Sequence, residues 1–185
     1  GTISTGATIA TGVHGKYVLE EQTGFVYESQ TVSTTTGLHN HNISGSNYAT
    51  VAVGSNVNDM FEFLMDFGQC QVHSNAGAGY LGFGMQRATD TGFSAGSVTL
   101  WRSGEHAFGG GAGSANDTYD VNYFTKIATA TECGFSASTT YYVRLTGMSH
   151  TSSGSFKWGG ANFTDSEGTI EPDGVRLTVR RWRLL

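Results

Sequence analysis

Proline occurs once in this chain, as Pro172, and Lys, Arg, Asp and Glu together make up only 14% of it. No apolar run is long enough to cross a bilayer. No window of a dozen residues carries Ala, Leu, Glu and Lys on a 3.6-residue period, which argues against helices. Basic residues are outnumbered by acidic ones, and the net charge of −5 leaves no electropositive surface for nucleic acid. Two cysteines, Cys70 and Cys133, are too few for a disulfide framework in 185 residues. Each stands among strand-like residues and reads as a small buried hydrophobe rather than half of a bridge.

What the chain has is Gly, Ser and Thr, 69 residues in all, and apolar side chains that alternate every second position. That is the pattern of an all-β protein. The shortage of proline spares N–H donors for long ladders and leaves turns to Gly and Asn. In Met60 to Phe67 the residues Phe61, Phe63, Met65 and Phe67 share a face against Glu62 and Asp66, a strand with one buried side. Tyr80 to Met85 sets Leu81, Phe83 and Met85 against Gly82 and Gly84, so one face is bare and admits close approach. Further strands are expected at 98–101, 119–124, 141–146, 156–158 and 175–179. Gly-rich turns between them suit an antiparallel jelly-roll sandwich.

Residues 1–45 carry few aromatics and much Thr and Gly, and read as an extended N-terminal attachment arm that needs another chain or surface to order it. Residues 46–185 form the jelly-roll domain, with clear strands from Tyr48. In the last strand Val175, Leu177 and Val179 differ in parity from Trp182 and Leu184, so a bulge is expected near Arg180 and Arg181. Trp182 and Leu184 then meet a neighbouring subunit or a sheet edge.

Several motifs fail for lack of context. Gly77 to Gly82 spells G-x-G-x-x-G, but a β-alternating segment follows it where a helix is required. Gly92 to Gly96 spells G-x-S-x-G around Ser94, with Asp117 or Asp120 and His150 as formal partners. An elbow needs a strand-to-helix turn, and Ser97 to Trp101 reads as a strand. Gly109 to Gly113 lacks the Lys-Ser/Thr of a phosphate loop. Asp165, Glu167, Glu171 and Asp173 do not keep EF-hand spacing and read as a solvated loop. The Asn-x-Ser/Thr triplets at Asn42, Asn116 and Asn162 arise freely in so Ser/Thr-rich a chain.

His39 and His41 are two apart and share a side of an extended strand. Three chains on a threefold axis would present six imidazoles, suited to an octahedral transition metal, whereas in one chain alone they are two histidines of a polar loop with no cofactor.

The segments 80–87, 98–101, 109–120, 141–147 and 175–182 resemble the tumour-necrosis-factor-like jelly roll of bacteriophage virion proteins. The resemblance covers about residues 48 to 185. It implies a non-enzymatic homotrimer on the virion surface: a capsid decoration protein, a head fibre or a receptor-binding tail-fibre tip. Its arm would bind other virion proteins, its C-terminal strand would lie in the central sheet, and a host surface glycan is a conceivable target. His39 and His41 are similar to the H-x-H pairs that chelate iron along the axis of some phage fibres. A second reading is a carbohydrate-binding β-sandwich module, with Trp101, Tyr142 and Trp158 as exposed aromatic contacts.

Overall fold

The computed structural model describes residues 17–27, 30–33, 39–68, 70–72, 79–94, 96–103, 106–108, 117–119, 123–150, 155–159, 163–165, 168–170 and 174–184. Among them there is no helix. The strands in chain order are β1 (Tyr17–Tyr27), β2 (Gln30–Ser33), β3 (His39–Asn42), β4 (Ala49–Ala52), β5 (Met60–Asp66), β6 (Cys70–Val72), β7 (Gly79–Ala88) and β8 (Val98–Arg102). They continue with β9 (His106–Phe108), β10 (Asp117–Tyr119), β11 (Tyr123–Thr129), β12 (Thr140–His150), β13 (Ser155–Trp158), β14 (Phe163–Asp165), β15 (Gly168–Ile170) and β16 (Val175–Leu184).

Two antiparallel sheets make the sandwich. One runs β1-β16-β5-β11; the other runs β3-β12-β7-β8, with β4 also on β12 and β9 also on β7. If the principal strands are taken in chain order, with β3–β4 and β8–β9 each as one position, the first sheet reads 1-8-3-6 and the second 2-7-4-5. This is the two-Greek-key order of a jelly roll. A smaller sheet, β10-β6-β13-β2, and the β14–β15 hairpin complete the described strands. The expected single strand at 119–124 is divided: β10 joins the small sheet and β11 joins the first.

The alternation in the sequence becomes the core. Phe61, Phe63 and Met65 of β5 and Val175, Leu177 and Val179 of β16 are buried against Met85, Val143 and Leu145 of the opposite sheet. Ala49, Val51 and Val53 are buried together, as their spacing implies. The bare face of β7 is filled by its neighbour: a Cβ on Gly82 would press on Met148, and one on Gly84 would collide with Thr146 Oγ1. Gly147 of β12 has the same role for Trp158, whose ring lies where a Cβ would stand and is fully buried.

The boundary expected at residue 45 does not coincide with a break in pairing. β1 pairs with β16 from Tyr17↔Leu184 to Tyr27↔Val175, β2 pairs with β13, and β3 pairs with β12. These segments are held by backbone ladders, and in β1 also by Phe25 and Tyr27, which pack against the core. Residues 1–16 lie outside the described residues. The expected bulge is present but on the other strand: β16 keeps unbroken register with β5, while β1 shifts between Leu19 and Glu21, leaving Glu20 extra. β16 stays straight because Arg181, at an inward position, finds polar partners: its Nη1 donates to the Ala52 carbonyl at 2.8 Å and its Nη2 to Glu20 Oε2 at 3.1 Å.

One side chain bridges a gap in the second sheet. Between the stretches of β12 that pair with β3 and β4, the Ser44 hydroxyl donates to the Leu145 carbonyl at 3.1 Å and accepts from the Leu145 N–H at 3.0 Å. Both residues are fully buried. Ser44→Ala should therefore strand two backbone groups and cost about 1–3 kcal/mol, more than a surface Ser→Ala change. Denaturant unfolding of the two proteins would show it as a lowered midpoint with unchanged slope; an unaltered midpoint would contradict the assignment.

Both cysteines are buried. Burial is the main force raising the Cys133 thiol to about 11, with the nearby charges of Lys126, Glu132 and Arg87 secondary. Its protonated form is thus favoured by folding, and that contribution is complete below the ordinary thiol range near 9 and lost as pH climbs toward 11. Ellman's reagent at pH 8 should leave native protein unlabelled and titrate both thiols once it is unfolded. Rapid labelling of Cys133 in native protein would refute its burial.

Candidate functional site

Since β5 turns its odd residues inward, its even residues and their register partners form the outer face of the first sheet. The rows across that face are Leu19, Trp182, Met60 and Thr129; then Gln22, Arg180, Glu62 and Ile127; then Gly24, Thr178, Leu64 and Thr125; then Val26, Arg176, Asp66 and Tyr123. Apolar side chains stand exposed on it. Ile127 is 61% accessible and Tyr123 56% along the β11 edge, and Val26 59% and Leu19 45% along the β1 edge. An open groove floored by Gly24 runs between Gln22, Val26, Arg176 and Thr178. Gly24 must be glycine because a Cβ there would overlap the Leu177 carbonyl oxygen.

A polar network fixes the middle and one end of this face. Glu62 Oε2 accepts from Arg180 Nη1 at 3.3 Å and from the indole N–H of half-buried Trp182 at 3.1 Å. Arg181 also lies 3.6 Å from Glu21, and Arg183 pairs with Glu20 at 3.3 Å and with the fully buried Asp59 at 3.6 Å. Gly54 leaves room for this cluster, since a Cβ would press on Arg183 and Asp59. Three of the four arginines in the last ten residues, Arg180, Arg181 and Arg183, are thus paired within the chain with Glu62, Glu20, Glu21 and Asp59.

The other residues singled out in the sequence are dispersed. Trp101 packs with Phe124 at 4.9 Å between ring centroids, and Tyr142 meets Tyr48 edge-on at 5.0 Å. Trp158 is inside the protein, so its ring offers no face to a sugar. Trp182 lies on the outer face opposite Leu19, and Leu184 pairs with Tyr17 through the backbone. His39 and His41 occupy β3 opposite Ser149 and Gly147. His41 is half-buried with its ring 6.1 Å from that of Trp158, on the inward side of β12. Among the described residues, no three His, Cys, Asp or Glu side chains converge as metal ligands.

Ser94 sits in the turn after β7, where its N–H and hydroxyl both bond Asp90 Oδ1 at 3.1 Å and close the loop. The left-handed residue there is its neighbour Phe93, at φ 52°, with Arg144 stacked 4.2 Å over the ring. Gly79 and Gly82 lie within β7, in a strand and not in a phosphate-binding turn. Of the formal partners of Ser94, Asp117 lies in β10 of the small sheet and His150 ends β12, while Asp120 falls outside the described residues. The exposed sheet face escaped sequence reading because register alone decides which residues share it: Leu19 and Val26 stand on β1 at one edge and Tyr123 and Ile127 on β11 at the other, with Arg180, Glu62, Arg176 and Asp66 between them.

No protein-family model matches the chain, and no curated protein matches it. Among solved structures it is similar to the infectious bursal disease virus Gx strain, at a TM-score of 0.42 and 9% identity over 99% of this chain and 47% of that one. The Gt strain of the same virus gives 0.35 and 11%, over 100% and 46%. The T13 particle of that virus gives 0.24 and 8%, over 86% and 40%. The chain spans less than half the length of these viral chains, and at such scores the likeness assigns it no function.

Proposed function

We propose that this chain is a non-enzymatic structural protein of a bacteriophage virion, a homotrimeric jelly roll displayed at the particle surface. The observation that carries the reading is the outer face of the first sheet, where Leu19 and Val26 stand exposed along one edge and Tyr123 and Ile127 along the other. Such a face suits the broad contact of one protein with another, not the enclosure of a small substrate. Jelly rolls recur in viral shells and also in lectins, so the fold alone does not choose between them. The virion assignment draws on the resemblance of the strand segments to phage surface proteins, and the trimer on that resemblance together with the apolar face.

Native mass spectrometry of the full chain at micromolar concentration should give three times the chain mass of 19.6 kDa. A monomer at that concentration would overturn the oligomeric reading. Antibody raised against the purified chain should label the outside of intact particles in immunogold microscopy; unlabelled particles would overturn the placement.

A further inference from the structure

Of the four arginines near the end of the chain, Arg176 alone has no acidic partner among the described residues. Its side chain is exposed on the outer face of β16, between Val26 of β1 and Asp66 of β5. Asp66 is the nearest counterion by register, but its Oδ1 accepts from the Gly68 N–H at 2.9 Å and no ion pair joins it to Arg176. The neighbouring guanidinium of Arg180 is held by Glu62. Arg176 therefore presents a planar set of donors, unspent, at the surface.

Beside it lies the open groove over Gly24, about 540 Å³ in volume, within the range of about 300–1,000 Å³ usual for ligand clefts. Gln22 and Val26 stand at its two ends on β1, and Thr178 faces Gly24 from β16. From Gln22 to Val26 the strand runs about 13 Å, so the trough suits an extended ligand better than a single ion. Because Gly24 can carry no side chain, the floor is bare peptide.

The walls select the ligand. β1 and β16 bond each other along the whole groove, from Gln22↔Arg180 to Val26↔Arg176, so the floor offers an extended peptide no ladder and recognition falls to side chains. A compact dianion would want several converging donors and would stand near Glu62 and Asp66 of the same face. A singly charged carboxylate meets less repulsion and matches the guanidinium fork. The Gln22 amide and the Thr178 hydroxyl can each donate and accept, as sugar hydroxyls do, and exposed Val26 offers apolar contact to a sugar ring. We propose that this groove binds an acidic polysaccharide, a linear chain of uronic acids with one carboxylate on Arg176. The site goes beyond the structural role proposed above. It occupies the β1–β16 half of the face and leaves Tyr123 and Ile127, on the far edge, to self-assembly.

The test titrates the full-length protein with trigalacturonate and with its uncharged methyl ester by isothermal titration calorimetry. The acid should bind the wild-type protein, more weakly as salt is raised, and the ester about tenfold more weakly than the acid. Arg176→Gln should lower affinity for the acid about tenfold and leave that for the ester unchanged. Arg102→Gln, which removes an exposed arginine of the second sheet, should alter neither. If Arg176→Gln failed to fold, the comparison of acid and ester on the wild-type protein would still decide. Absence of binding, equal affinity for acid and ester, or undiminished affinity in folded Arg176→Gln would overturn the site. Tighter binding of triglutamate than of trigalacturonate would overturn the sugar as the ligand. None of these readouts depends on oligomeric state, so a monomer that binds the acid would end the trimer and leave this site standing.

Discussion

The insertion of β16 between β1 and β5 is the constraint on which the rest of the molecule depends. Its inward residues Val175, Leu177 and Val179 form the middle of the core, and its ladders hold both neighbouring strands. Without it, β1 would have no partner in the sheet among the described residues, and the Phe61, Phe63 and Met65 stripe would lose one flank. Since those pairings join residues more than a hundred positions apart, the first sheet can form only after long loops have closed, which makes for slow folding. Ion pairs placed at the same strand, Arg180 with Glu62, Arg181 with Glu20 and Arg183 with Asp59, fix its register where apolar packing thins toward the end of the sandwich.

Much of this was legible from spacing alone. The buried side of β5, the filled glycine face of β7 and the burial of Ala49, Val51 and Val53 follow from a period of two, which backbone geometry enforces. Motif matches in a Gly-rich chain were also settled by context, as β7 shows for Gly79 and Gly82. The first 45 residues were less legible. As a whole they look like an arm, yet Tyr17 to Tyr27 and His39 to Asn42 pair with β16 and β12, and Phe25 and Tyr27 pack against the core, partners that lie far along the chain.

The parity break in the last strand has a similar lesson. An inward arginine looks like a fault when only side-chain polarity is read, and a bulge in β16 is the simplest remedy. The protein instead keeps β16 straight, gives Arg181 the carbonyl of Ala52 and the carboxylate of Glu20, and puts the extra residue in β1. Trp158 was misread for the complementary reason. An aromatic ring near a short strand suggests a sugar platform, but the missing side chain of Gly147 makes a slot that buries it. Both depend on partners distant in sequence.

The two edges of the first sheet join these observations to function. A bulge, a pair of glutamates and their arginine partners all fall on β1, while β11 ends the same sheet with exposed tyrosine and isoleucine and no comparable device. A monomer would benefit from protection at both edges, because an unpaired apolar strand is a template for aggregation wherever it occurs. Under the self-assembly proposed above, protection of only one edge would follow if a second copy covered the other.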